Sequence, residues 1–211
     1  AVARELTDKG AEAVYLPVDV TSEDSIKGLI VEAVKRFGPV HVAVSNAGIS
    51  ETQSSALEIS SDQWDKVFAV NTRGSFMFCR ASANNMMEND IKGSMVTVSS
   101  IMGRGAKNMT GAYAASKAAV IMFTKSLAKA LAPMGIRVNC IAPGMVKTNL
   151  YRPVENEMMM ERDSFVPWII EQCVSSGQLL IGREGTPEDM AAAVAFLASD
   201  DASYITAQVL C

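Results

Sequence analysis

Two side chains four residues apart, Tyr113 and Lys117 in YAASK (113–117), carry the clearest offer of chemistry in this chain. The surrounding run is small-residue and helix-forming, and on a helix that spacing puts a phenol and an ammonium on one face, a turn apart. A nearby cation lowers a phenol's pKa from about 10, which lets it trade protons near neutral pH. An ordinary surface pair has the same spacing, so the rest of the chain must decide between them. VTVSS (96–100) ends in two serines shortly before the pair. A serine hydroxyl there can donate a hydrogen bond to a substrate oxygen, and the phenol can deliver or remove the proton on that same oxygen. Such a set moves a proton while a cofactor moves a hydride, because protein side chains have no good hydride chemistry of their own.

These residues need elements to hold them, and the pattern along the chain alternates strand with helix. The spacing predicts a helix over 1–10 and a short apolar strand over 13–20. Thr21 to Asp24 has capping-box spacing and opens a helix that Gly38 ends. A strand follows over 41–48, then a helix capped by Ser60 and Gln63 that runs to 88. Further strands are predicted over 93–100 and 136–144, with a helix over 111–132 between them. Thr186, Pro187 and Asp189 start another helix, and 204–210 closes as a strand. Strands separated by helices of this length call for an α/β fold: a doubly wound, mostly parallel, Rossmann-like sheet in three α/β/α layers. No linker or repeat divides residues 1–211, so a single domain is expected.

In such a sheet ligands bind beyond the carboxyl ends of the strands. Asp19 ends the first predicted strand, Asn46, Ala47 and Gly48 the second, Ser99 and Ser100 the third, and Pro143 and Gly144 the fourth. Gly48 and Gly144 let backbone approach a ligand where a Cβ would clash. The segment 149–182, rich in methionine and aromatics and carrying Pro153 and Pro167, is either a substrate lid or a pair of helices packed on the core or a subunit interface.

Composition narrows the class. Of 211 residues, 49% are hydrophobic and 20% charged, with a net charge of −4. That balance leaves no footprint for nucleic acid and no basic run for an anionic membrane surface, and no apolar stretch reaches the length of a span. Cys79, Cys140, Cys173 and Cys211 are scattered without a CxxC pair, which argues against a disulfide framework or a zinc site and for a reducing compartment. The single histidine, His41, has no second imidazole or nearby cysteine and reads as structural, so neither a metal centre nor a Ser-His-Asp triad is expected. No signal peptide is evident, and a cytoplasmic location is expected.

The order NAG (46–48), VNTRGSF (70–76), VTVSS (96–100), YAASK (113–117) and VNCIAPGMVKT (138–148) resembles the short-chain dehydrogenase/reductase family over practically the whole chain. The resemblance implies an NAD(P)-dependent oxidoreductase interconverting a secondary alcohol and a ketone. Tyr113 would be the general acid/base, and Lys117 would lower its pKa and hold the nicotinamide ribose. Ser100, thirteen residues before Tyr113, would polarise the carbonyl, and Asn71 would support a water-linked proton relay to the lysine. Asp19 and Val20 match the adenine-side contacts, and Asn46, Ala47 and Gly48 the cofactor cleft. Pro143, Gly144, Val146 and Thr148 match the segment holding the nicotinamide amide and pyrophosphate. A homodimer or homotetramer is implied, through the helices around 62–90 and 112–132.

The sequence departs from that family at both ends. It has no glycine-rich phosphate turn after a first strand, and QVLC stands where a Val-Asp-Gly-Gly type tail would be. The expectation is a chain lacking the first βαβ unit, with NAD and NADP both open as cofactors. The long 149–182 segment favours polyol, sugar-alcohol or acetoin-type substrates. Reduction of a 3-oxoacyl thioester, which a basic docking patch beside the cleft would favour, is the alternative substrate. A non-catalytic binding or assembly module is the alternative from another class.

Overall fold

The computed structural model describes residues 2–50, 56–105, 111–146, 148, 150, 162–175 and 180–211, with backbone alone for 162–166 and 169. Its centre is one parallel sheet of β1 (Val42–Ser45), β2 (Ser94–Val98), β3 (Arg137–Ile141) and β4 (Val209–Leu210), in the order β1-β2-β3-β4. Val42 stands opposite Ser94, Val96 opposite Asn139, and Cys140 opposite Val209. β2 is buried along nearly its whole length, as an inner strand of a parallel sheet covered on both faces must be.

Around it lie α1 (Val2–Asp8), α2 (Glu23–Phe37), α3 (Ser61–Phe68), α4 (Ser75–Glu88), α5 (Gly111–Leu131), α6 (Arg162–Ser175) and α7 (Pro187–Ala198). On one face Cys79, Ala83 and Met86 of α4 and Ala128 and Leu131 of α5 pack on Ala43, Met95 and Val138. On the other, Leu197, Met190 and Val194 of α7 pack on Val96 and Ile141. Adjacent strand residues point to opposite faces, so Met95 and Val96 alone establish the three layers. Burying each large aliphatic side chain contributes about 1.5–3 kcal/mol. The α5 and α7 crossovers step along the sheet in the same direction from opposite faces. They therefore have opposite hands, and one of them departs from the right-handed rule.

Local chemistry sets the helix starts. Ser60 accepts from the Gln63 N–H while Gln63 reaches back to the Ser60 N–H, a complete capping box. Thr186 and Asp189 repeat the device with Pro187 in the first turn, and the Arg183 guanidinium on Asp189 holds that carboxyl well below the usual carboxylate range. At α2 the cap is Ser22 rather than Thr21, because Thr21 is taken by the Asp19 carboxylate through both its N–H and its hydroxyl.

Two predicted strands are corrected. Residues 13–20 form no strand. Val14, Leu16 and Val18 line, with Val44 of β1, a cavity of about 570 Å³, and no described strand pairs with this segment. A strand exists by its ladder, and the Asp19 N–H instead donates to the Ser25 hydroxyl. The last strand is reduced from 204–210 to Val209–Leu210. Ala207 takes a left-handed φ of 60°, and Asn139 bonds Ile205 O and the Gln208 N–H with its side chain. In the 149–182 segment, α6 with Pro167 inside it is described, while residues 149, 151–161 and 176–179 lie outside the described residues.

Candidate active site

The carboxyl end of β2 and the start of α5 are laced together by short bonds. The Ser99 hydroxyl donates to Lys117 O at 2.7 Å, and Lys117 Nζ donates to Val98 O at 2.9 Å. Between them the 3-10 turn Ile101–Gly103 lies against the helix so closely that a Cβ on Gly103 would fall 2.7 Å from the Lys117 carbonyl carbon. Ser100 caps that turn by accepting from the Met102 N–H at 3.2 Å, which leaves its own proton to donate.

Tyr113 and Lys117 occupy one face of α5 as the spacing predicts, with Nζ 5.7 Å from the phenol ring centre, within cation–π reach. Lys117 is only 4% exposed, and burial pulls its ammonium pKa down to about 8, a fall that the buried Cys140 thiol partly opposes. Val98 O is its one hydrogen-bond partner among the described residues, so donors remain for a ligand.

Asn71 is placed by an irregularity. Residues Ala69–Gly74 form a π-helical turn between α3 and α4, a feature common at functional sites. The turn presents the fully buried Asn71 to the loop after β1, where Oδ1 accepts from the Ile49 N–H at 2.8 Å and Nδ2 donates to Ile49 O at 2.9 Å. The Ser75 hydroxyl donates to Asn71 O at 2.7 Å. The same loop carries Gly48, where a Cβ would stand 3.2 Å from Lys117 Nζ and 3.3 Å from Asn71 Oδ1. Thus Asn71, Gly48 and Lys117 are brought together, with Tyr113 and Ser100 on the elements that Lys117 and Ser99 tie to one another.

The remaining predicted residues are arranged around this group. Asn46, Ala47 and Val20 line the apolar cavity beside β1. Val20 also packs on the π turn, its carbonyl 3.0 Å from where a Gly74 Cβ would be, and Arg73 donates to Thr21 O at 3.2 Å. Asp19 is exposed at the end of that segment, its carboxyl held below the usual value by the Thr21 hydroxyl. Pro143 accepts from the Ile101 N–H through its carbonyl. Gly144 is half-buried beside it, Val146 bridges to Gly185, and the exposed Thr148 accepts from the Leu150 N–H at 3.3 Å.

A dinucleotide fits these residues on two observations. The Lys117 ammonium has donors that no described residue takes, and an apolar cavity of about 570 Å³ lined by Asn46 and Ala47 lies beside β1. His41 is exposed with Nδ1 on Pro39 O, and no cluster of metal-binding side chains occurs among the described residues. No described helix is long and apolar enough to cross a membrane.

Sequence reasoning missed Gly103, Ser116 and the role of Ser99, each of which contacts or braces the Tyr113–Lys117 stretch of α5 by backbone or hydroxyl. Their only signal was smallness: a glycine just past the strand end, and a serine inside an alanine-rich helix.

The family profile described as Enoyl-(Acyl carrier protein) reductase matches residues 1–211. A diacetyl reductase [(S)-acetoin forming] of Staphylococcus epidermidis is 35% identical over 205 residues, 97% of this chain and 79% of that protein. A 3-oxoacyl-[acyl-carrier-protein] reductase of Chlamydia muridarum is also 35% identical, covering 100% of this chain and 79% of its own length. Among solved structures, an NAD+-bound xylitol dehydrogenase superposes with a TM-score of 0.88 at 28% identity, over 99% of this chain and 81% of that one. A short-chain type dehydrogenase/reductase from Mycobacterium marinum gives 0.86 at 29%, over 99% and 77%. The chain belongs to the short-chain dehydrogenase/reductase family.

Proposed function

We propose that Tyr113, Lys117, Ser100 and Asn71 make this chain an NAD(P)-dependent oxidoreductase that interconverts a secondary alcohol and a ketone. The observation that carries the reading is the buried Lys117 ammonium beside the Tyr113 phenol, with donors to spare at the carboxyl end of the sheet. Bound NAD or NADP supplies the hydride chemistry. Lys117 would hold its ribose hydroxyls, Asn46, Ala47 and Gly48 would line its cleft, and Asp19 and Val20 would meet the adenine side. Pro143, Gly144, Val146 and Thr148 would hold the nicotinamide amide and pyrophosphate.

Tyr113 gives its phenolic proton to the substrate oxygen in reduction and takes it back in oxidation. Ser100 donates a hydrogen bond to that oxygen and draws charge onto it. Lys117, charged below about pH 8, favours the phenolate left on Tyr113. Asn71 fixes the loop that carries Gly48 and supports proton return to the lysine.

The diacetyl and xylitol enzymes favour a small hydroxyketone or polyol substrate, with part of 149–182 as a lid over it. One observation favours a thioester instead. Arg104, Lys125 and Lys129 line an open cavity of about 700 Å³ beside the Ser100 turn with no carboxylate among its lining residues, a charge suited to an acidic carrier. The exposed Trp64, Phe76, Met87 and Met122 of α3, α4 and α5 suit a homo-oligomeric interface, and Cys79, Cys140 and Cys211, which form no disulfide, suit the cytoplasm.

The test is a fluorescence titration of NADH and NADPH into this chain and into the product of its whole reading frame, followed by turnover. Diacetyl, xylitol and an acetoacetyl thioester are the substrates. Binding with turnover of diacetyl or xylitol supports the reading, and preference for the thioester moves it to the carrier-bound substrate. If neither protein binds either coenzyme, the reading fails and a non-catalytic binding module takes its place.

A further inference from the structure

The Asn71 amide makes a third bond: Nδ2 donates to the Ser116 hydroxyl at 3.0 Å. Ser116 is fully buried and hands its one proton on to Tyr113 O at 2.7 Å, while its own carbonyl accepts from the Thr72 hydroxyl at 3.2 Å. With Ile49 taking the amide's other proton and its oxygen, the orientation of Asn71 is fixed, and only Ser116 connects that amide to α5 among the described residues.

The local sequence makes the serine conspicuous. Alanine fills positions 112, 114, 115, 118 and 119 around it, and serine is the poorer helix former because its hydroxyl competes for backbone. Alanine at 116 would leave a buried N–H of Asn71 without an acceptor, where an unmade bond is costly. The hydroxyl also sits one residue before Lys117 and bonds the carbonyl of Tyr113, so it grips the turn that carries both groups.

We propose that Ser116 is a positioning residue that transmits the placement of Asn71, and with it the Gly48 loop, to the Tyr113–Lys117 turn. The proposal rests on the oxidoreductase reading above. Its test is a cycle of Ser116→Ala and Ser116→Cys, each made in the wild-type and Asn71→Ala backgrounds, with kcat, coenzyme KM and melting temperature measured for all. Cysteine fills the serine's volume with a weak donor and acceptor, which separates packing from hydrogen bonding.

Each Ser116 variant should lower kcat about tenfold with coenzyme KM within about twofold of wild type, the signature of lost positioning rather than lost binding. In the Asn71→Ala background the same changes should cost less than about twofold, since the partner is already gone. A cysteine variant with wild-type kcat overturns the proposal in favour of packing, and a full tenfold loss repeated in the Asn71→Ala background overturns it in favour of independent action. A wild-type chain that turns over no substrate with either coenzyme overturns the oxidoreductase reading instead. The link is then judged on the melting temperatures: non-additive losses sustain it and additive losses overturn it.

Discussion

At the end of β2, Lys117 is 4% exposed, bonded to Val98 O, and backed by a glycine that has no room for a methyl group. At the opposite margin of the sheet, beside β1, Tyr15 is 77% exposed and Val42 48%, and the backbone of 13–20 joins no ladder. The first region is held by bonds of 2.7–3.0 Å from strand, loop and π turn to a single helix. The second is held mainly by Val20 against Gly74, the Arg73 bond to Thr21 O and the Asp19 turn. The contrast shows what a ladder does. A helix tied to strand and loop by short bonds is buried, whereas an apolar segment that pairs with no described strand stays open.

The largest effect should come from removing the proposed proton donor at the tight end. Tyr113→Phe should lower kcat about 10³-fold with coenzyme affinity changed by less than about threefold, as steady-state kinetics and titration will show. A comparable loss of coenzyme affinity would mean that the two regions are not separable. The buried ammonium gives the next effect. Its folded pKa of about 8 lies below the ordinary 10.5, so charging it opposes folding by about 3 kcal/mol at any pH below 8. As pH rises from 8 to 10.5 that penalty is relieved. The stability of the wild type should therefore climb relative to Lys117→Met across this window, followed by denaturant unfolding at each pH.

Glycine replacements sharpen the comparison further. Gly103→Ala forces a Cβ to within 2.7–2.9 Å of the Lys117–Ala118 backbone and should destabilise by about 2–3 kcal/mol. Gly105→Ala, two residues on with nothing within 4 Å, should stay within about 0.5 kcal/mol. The smallest effect has the opposite sign. Gly28 lies inside α2, with open space where its Cβ would be. Gly28→Ala should raise stability by about 0.5–1 kcal/mol without changing kcat, measured by the same unfolding assay.

How much of this was legible follows the same division. The shared face of Tyr113 and Lys117 could be read because helical spacing is a local property, Ser100 and Asn71 were singled out by the family resemblance, and the boundaries of α3, α5 and α7 came from caps and small-residue runs that act over three or four residues. The strand over 13–20 could not be read correctly, since its apolar pattern suits a strand while the ladder depends on a neighbour elsewhere in the chain. Ser116 and Gly103 showed only their smallness, and not their partners, for a related reason. The partner of Ser116 lies 45 residues upstream, and Gly103 matters only because the 3-10 turn returns onto Lys117. Neither fact has a local signature.

The π-helical turn at Ala69–Gly74 also sets a phase. It adds a residue to one turn, so the faces of α3 and α4 are offset from those of an unbroken α-helix. Loss of one codon there would let the widened turn close to ordinary α-helix, leaving Val67 and Cys79, Ala83 and Met86 on their buried faces. Loss of one codon within α4 itself would instead rotate the residues on one side of it by about 100° and carry that apolar stripe out of register with the core. The six-residue window is therefore where this helix pair can give up a residue, at the cost of the turn that presents Asn71.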